Sequence, residues 1–150
     1  MSLQQWSDNG WLRPHQTSSQ EIADLFAIVT RDLADAEGDI SADWRFGIAY
    51  NAALKLGTIL LHASGYRPEK TLQHYRTIAA LPEIFGQQRK DDADYLETCR
   101  RKRNTAEYDR TGVVTDQDAS ELIEFCRELE QEVRNWLSHN YPALMPKEKA

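Results

Sequence analysis

Apolar residues recur every three to four positions along most of this chain, which is the spacing of one face of an α-helix. The clearest such stripe is Ile22, Leu25, Phe26, Val29, Leu33 and Ala36. Ser18 followed three residues later by Glu21 is typical of a helix start, and Gly38 is typical of a helix end. The pattern therefore predicts a first long helix between Ser18 and Gly38.

A second long helix is predicted to start at Ser41 or Asp43 and to end at Gly65, ahead of Pro68. Its predicted inner face is Trp44, Ile48, Ala52, Leu56, Ile59, Leu60 and Ala63. Small residues between positions 49 and 57 allow another helix to approach closely. A helix of the same chain and a helix of a second subunit both satisfy this pattern, and residues 49–57 are a candidate homodimer surface.

Three further segments have helical character. A short helix is predicted over residues 68–80, because proline suits a first helical position and Pro82 resists continuation. Its predicted buried edge is Leu72, Tyr75 and Ala79. Residues 91–108 form the next segment, and Thr115 is predicted to cap the last long helix. Because no strand pattern of useful length is present, we expect an all-α, single-domain, up-and-down bundle of about five helices.

The chain of 150 residues, 41% of them hydrophobic, suits one core. Residues 18–140 are predicted to form the bundle. Residues 1–17 form an N-terminal arm that docks Trp6 and Trp11 on the body, with a mobile tail as the alternative. Residues 141–150, which contain Pro142 and Pro146, form a C-terminal tail.

The formal charge of −6 disfavours broad wrapping of nucleic acid but leaves room for a local basic patch. Cys99 and Cys126 occupy apolar helical positions, which predicts buried, reduced thiols. The chain has neither a signal-peptide pattern nor an unbroken apolar span, so we expect a cytoplasmic protein without membrane contact. The histidines lie at helix-end or surface positions without metal-site spacing, so no metal and no cofactor are expected. These histidines are His15, His62, His74 and His139.

The segment RRKRNTAEYD, residues 100–109, has four consecutive basic residues in an otherwise acidic chain. Arg103 falls on the apolar stripe of Tyr95, Cys99 and Ala106, and a guanidinium directed inward needs a partner. Glu107, one turn later, is the nearest structural partner, and an anion held in a groove is the alternative. The candidate ligand-binding residues are Arg100, Arg103, Asn104, Glu107 and Tyr108. Arg100, Arg101 and Lys102 also fit a solvated face balanced by Asp91, Asp92, Asp94 and Glu97.

RNTAEY, together with the helix AYNAALKLGTILLHASGYRP at residues 49–68, resembles the HEPN superfamily of small helical proteins. The resemblance covers the helix pattern over residues 18–136, and it implies a homodimer, a nucleotidyltransferase as toxin–antitoxin partner, and metal-independent cleavage of RNA. The family motif begins with an arginine and a polar residue, matched by Arg103 and Asn104. It ends with a histidine four to six residues after the arginine, where this chain has Tyr108.

Tyrosine has an ordinary pKa of about 10, so it is a poor proton acceptor at neutral pH. On a regular helix Arg103 and Tyr108 also point about 140° apart, so only a bend or a dimer groove brings them together. We therefore expect a domain that binds a nucleotide, RNA or protein partner without efficient catalysis. One alternative is a ribonuclease toxin with Arg103 and Tyr108 as candidate catalytic residues. In that case His62 or His74 could also replace the missing motif histidine in space. The other alternative is a purely structural oligomerisation module.

Overall fold

The computed structural model describes residues 2–147, in which six α-helices surround one main core. The helices are α1 (Leu3–Asp8), α2 (Ser19–Ala36), α3 (Ala42–Ala63), α4 (Gln73–Phe85), α5 (Lys90–Asn104) and α6 (Asp116–Asn140). Two short strands, β1 (Leu12–Pro14) and β2 (Tyr66–Pro68), and a π-helical turn at Thr105–Asp109 complete the ordered elements that matter here. The predicted all-α, single-domain bundle is confirmed, and the additional helix, α1, lies in the predicted arm.

Local capping sets the starts of the three long helices as the sequence predicted. The hydroxyls of Ser18 and Ser41 accept the backbone N–H groups of Glu21 and Trp44 at 3.1 and 3.3 Å. Thr115 and Asp118 form a capping box at the start of α6. α3 then packs against α2, α4, α5 and α6, which places it at the centre of the bundle.

The small residues of α3 receive helices of the same chain. Ala49 and Ala52 are fully buried, and a Cβ atom at Gly57 would lie 2.7 Å from Cγ2 of Thr77 in α4. The prediction of a homodimer surface at residues 49–57 is therefore wrong, because the bundle already covers this face. Trp44 is also not on the inner face: its exposed fraction is 64%, and Phe46 enters the core from the first turn of α3 instead.

The helix predicted at residues 68–80 begins and ends later. Pro68 lies in β2, and α4 starts at Gln73 and continues through Pro82 to Phe85. Leu72 and Tyr75 are exposed, so the predicted buried edge is wrong at these two positions, whereas Ala79 is partly buried against Trp6, Leu12, Leu61 and Ala80. The shifted helix buries a different set of side chains. This set is Thr77, Ile78, Ala80, Leu81 and Pro82. The Pro82 ring takes a core position, which offsets the backbone hydrogen bond that proline cannot donate.

The N-terminal arm is docked on the body. Trp6 is buried and meets Trp11 edge to face at 6.0 Å between ring centroids, and the guanidinium of Arg76 lies 3.9 Å from the Trp11 ring centroid. β1 pairs with β2 in an antiparallel ribbon that joins Leu12 to Pro68. Trp6 and Trp11 therefore both contact the body of the protein, and Met1 lies outside the described residues. The ribbon and α1 were not predicted.

At the other end, a 3-10 turn at Pro142–Leu144 brings Leu144 and Met145 against the core. Residues 148–150 of the predicted tail lie outside the described residues. Cys99 and Cys126 are buried free thiols, as predicted. None of the described helices combines the length and the apolar character that crossing a bilayer requires.

Candidate functional site

A cavity of about 380 Å³ opens where the start of α3 meets the end of α5 and the π-helical turn. We call it the Arg103 cavity. Its walls are Ser41, Asp43, Trp44, Gly47, Arg103, Ala106, Glu107 and Thr111. Two of the predicted ligand-binding residues, Arg103 and Glu107, thus line one cavity together with residues from a helix distant in sequence.

The side chain of Arg103 is three-quarters buried and contacts three other side chains. Its Nε contacts Oε2 of Glu107 at 2.9 Å, and its Nη1 donates to Oδ1 of Asn104 at 3.1 Å. The guanidinium carbon also lies 5.7 Å from the ring centroid of Tyr50. The pairing of Arg103 with Glu107 is confirmed. Nη2 forms no hydrogen bond within residues 2–147, so its donors are available to a ligand.

Asp43 and Trp44, at the start of α3, also line the cavity. Asp43 Oδ2 accepts the backbone N–H of Gly112 at 3.1 Å, which fixes the carboxylate. Its Oδ1 is buried and has no hydrogen-bond partner among the described residues. Trp44 is largely exposed. The cavity lining therefore combines a flat aromatic surface, a cation and a carboxylate.

The three basic residues before Arg103 have acidic partners of their own. Glu97 contacts Nη2 of Arg100 at 2.6 Å and Nε of Arg101 at 3.4 Å. Lys102 Nζ lies 3.1 Å from Oδ2 of Asp118, so α6 supplies one balancing charge that was not predicted. Arg100 does not line the Arg103 cavity. It lines a second cavity, of about 310 Å³, with His74 and Tyr75.

Tyr108 stands apart from Arg103. It lies on the π-helical turn, where the N–H of Arg110 donates to the carbonyl of Thr105 at 3.0 Å, and 72% of the residue is exposed. It is not among the residues that line the Arg103 cavity. The structure therefore groups Arg103 with Asn104 and Glu107 and leaves Tyr108 in solvent.

His74 is the histidine closest to the basic segment. Its ring centroid lies 6.1 Å from that of Tyr50, and Tyr50 also contacts the guanidinium of Arg103. Burial lowers the pKa of His74 below its ordinary value, and the nearby charges of Arg103 and Arg100 lower it further. Burial also raises the pKa of the Tyr50 hydroxyl, which has no hydrogen-bond partner among the described residues. His62 lies elsewhere, beside His15 and Glu21.

Sequence reasoning missed Asp43 and Trp44 as cavity residues. A signal was present, because Phe46, Tyr50 and Ala53 form an alternative apolar stripe that leaves Trp44 on the outside. Asn51, on α3, is not among the residues that line the Arg103 cavity, and its Nδ2 donates to Oδ2 of the buried Asp32 at 2.7 Å.

No protein-family model, no curated protein and no solved structure matches this chain. The candidate site therefore rests on its own geometry. That geometry is a partly buried arginine, an exposed tryptophan and a carboxylate that line one open cavity.

Proposed function

We propose that this protein is a HEPN-like domain that binds a nucleotide or a short single-stranded RNA in the Arg103 cavity, without efficient cleavage. The observation that carries the proposal is that Trp44, Arg103 and Asp43 line one cavity of about 380 Å³. A nucleotide offers one group for each: a flat base, a phosphate and an N–H or O–H donor.

Base binding is supported by Trp44. A tryptophan is normally shielded from water, yet this one exposes 64% of its surface at the mouth of a cavity. Stacking of a base on such a ring contributes about 1–3 kcal/mol per base. The carboxylate of Asp43, which also lines the cavity, can accept a hydrogen bond from the amino group of a base or from a ribose hydroxyl.

Phosphate binding is supported by Arg103. Its contacts with Glu107 and Asn104 use Nε and Nη1 and set the plane of the guanidinium, while Nη2 remains for an anion. Glu107 limits the net positive charge of the site, since a phosphate must approach beside its carboxylate. We therefore expect moderate affinity and a clear dependence on salt.

A ribonuclease reading is the second candidate, and His74 is the observation that favours it. Its lowered pKa keeps the imidazole neutral and able to accept a proton near neutral pH, and Arg100 lines the same second cavity. Single-stranded RNA that spans both cavities would place a phosphate near Arg100 and Arg103. In that case His74, rather than Tyr108, takes the place of the motif histidine.

The binding test uses fluorescence anisotropy with a labelled single-stranded RNA hexamer and with a labelled adenine nucleotide. Arg103→Ala should weaken binding at least tenfold, because a charge-assisted hydrogen bond contributes about 1.5–3 kcal/mol. Arg103→Lys should restore only part of it. Arg101→Ala is the matched control, since it removes the same charge from the same helix at an exposed position, and it should change binding less than threefold.

If Arg103→Ala and Arg101→Ala weaken ligand binding equally, the loss reflects the general charge of the helix and contradicts a specific site at Arg103. Trp44→Ala should weaken binding about fivefold or more, and Trp44→Phe should retain most of it. If no labelled ligand binds the parent protein, Arg103 is a structural ion-pair residue. Cleavage of RNA by the purified parent in a metal chelator, lost in His74→Ala, would replace the non-catalytic proposal with the ribonuclease alternative.

The homodimer and the nucleotidyltransferase partner implied by the HEPN resemblance are also proposals. Any homodimer interface must avoid residues 49–57, which the bundle buries or packs internally. Sedimentation at micromolar concentrations tests the dimer. Co-purification with a nucleotidyltransferase encoded beside this chain tests the partner.

A further inference from the structure

Three potential metal ligands meet at one point on the side of the molecule where the N-terminal arm joins the bundle. His15 follows β1, Glu21 lies in the first turn of α2, and His62 lies in the last turn of α3. Their ligand atoms all lie within 4.8 Å of one another. No pair of them has helical metal-site spacing, and only the fold brings them together. We call them the His15 cluster.

The ligand atoms face a common centre. Oε1 of Glu21 lies 2.7 Å from Nε2 of His15 and 2.9 Å from Nδ1 of His62, and the two imidazole centroids are 4.2 Å apart. In a tetrahedral site with bonds of about 2.0–2.1 Å, neighbouring ligand atoms are separated by about 3.3 Å. The two Glu21 contacts are shorter than this separation by about half an ångström, so Glu21 must move away from each imidazole by about that much to admit an ion.

The cluster is pre-organised by its surroundings. The N–H of His15 donates to the carbonyl of Gly65 at 2.8 Å, which fixes the arm beside the end of α3. The hydroxyl of Thr17 donates to Oε1 of Glu21 at 2.7 Å, which orients the carboxylate. Partners of this kind around a ligand are a common feature of metal sites in proteins.

His62 has an unsatisfied nitrogen at this point. Its Nδ1 is buried and lies 2.9 Å from Oε1 of Glu21, but the alignment of the two groups is poor for a hydrogen bond. Burial, and then the neighbouring His15, lower the pKa of His62, while the hydrogen bond with His15 lowers the pKa of Glu21. A neutral imidazole and an ionised carboxylate are the forms that bind metal.

We propose that His15, Glu21 and His62 bind one divalent transition-metal ion of the Zn²⁺ class. Two imidazole nitrogens and one carboxylate oxygen suit Zn²⁺ and its neighbours, whereas Mg²⁺ and Ca²⁺ prefer oxygen ligands throughout. Glu21 is partly exposed, so water can occupy a fourth position. The ion would join the arm to α2 and α3. This site is separate from the Arg103 cavity and does not depend on the proposed function.

The experiment is calorimetric titration of Zn²⁺ into chelator-treated full-length protein. The parent should bind one equivalent, and His15→Gln, Glu21→Gln and His62→Gln should each weaken binding at least tenfold. His139→Gln is the matched control, since His139 is exposed on α6 and bonds the carbonyl of Asn135 at 2.7 Å. It should leave the affinity unchanged. Parent affinity no higher than that of the cluster variants, or an equal loss in His139→Gln, overturns the proposal.

A second measurement needs no variant, so it remains decisive if a substitution prevents folding. Diethyl pyrocarbonate modifies accessible neutral histidines, and mass spectrometry locates the modified residues. One equivalent of Zn²⁺ should protect His15 and His62 in the parent protein at least fivefold while His74 and His139 react as before. Equal reactivity of all four histidines with and without Zn²⁺ contradicts the site.

Discussion

Gly57→Ala tests the packing of α3 against α4. This packing holds α4, whose residues His74 and Tyr75 line the second cavity, against the central helix of the bundle. The added methyl group would lie 2.7 Å from Cγ2 of Thr77 and 3.4 Å from the Thr77 carbonyl oxygen. Thr77 is buried, and its hydroxyl donates to the carbonyl of Gln73 at 2.9 Å, so its side chain cannot rotate away without losing this bond.

The two contributions to the free energy of unfolding have opposite signs. Overpacking of a filled core costs about 1–3 kcal/mol. Replacement of a helical glycine by alanine returns about 0.8–1.0 kcal/mol. We expect Gly57→Ala to lower the free energy of unfolding by about 1 kcal/mol, which corresponds to a Tm lower by about 2–4 °C in a chain of this size.

Thr77→Ser provides the decisive background, because serine keeps the hydroxyl and removes the methyl group that clashes. In this background Gly57→Ala should stabilise the protein by up to about 1 kcal/mol. Urea unfolding of the four proteins gives the coupling energy between the two positions. Gly47→Ala is the matched control on the same helix, since a Cβ there meets no heavy atom within 4 Å, and it should also stabilise. The reasoning fails if Gly57→Ala is equally destabilising with threonine and with serine at position 77.

Two further predictions concern acid stability and the thiols. Hydrogen bonding from the Thr115 backbone, and then from Lys102, holds the pKa of Asp118 below its ordinary value. The contribution of Asp118 to the free energy of unfolding is therefore fully present above about pH 4, which is the ordinary pKa of an aspartate, and it is lost as the pH falls through the lower pKa of the folded protein. In urea titrations the parent protein should therefore be more stable than Asp118→Asn at neutral pH, and this difference should shrink below about pH 4. Burial raises the pKa of Cys99 to about 11 and that of Cys126 to about 12. A thiol-reactive disulfide at pH 8 should therefore label neither cysteine in the folded protein and both cysteines in urea. Rapid labelling of the folded protein would contradict their burial.

Helix starts were predictable because their chemistry is local. Ser18, Ser41 and Thr115 each cap a helix through a residue three positions later, and this signal is complete within one turn. The proline signals failed because the restricted φ angle of proline suits a helix start and an extended strand equally. Pro68 pairs with Leu12 in the ribbon, and a window around Pro68 contains no sign of that partner.

The same division applies to the candidate sites. The contact of Arg103 with Glu107 was predictable, because residues four apart meet on one helix face. Asp43 and Trp44 reach the Arg103 cavity only through the packing of α3 beside α5, which no local pattern encodes. The His15 cluster draws each ligand from a different element, so its assembly depends on the docking of the arm.

The π-helical turn at Thr105–Asp109 holds more residues per turn than the α-helix before it. Removal of one residue from this turn would allow regular α-helical hydrogen bonding to continue past Asn104, while each later side chain would rotate by about 100° around the axis. The packing of α5 would survive such a deletion because it precedes the turn, whereas the contact of Arg103 with Glu107 would change because Glu107 lies within the turn. The turn can therefore gain or lose one residue without disturbing α5. For this reason the number of residues between Arg103 and a later polar residue does not predict whether the two side chains face each other.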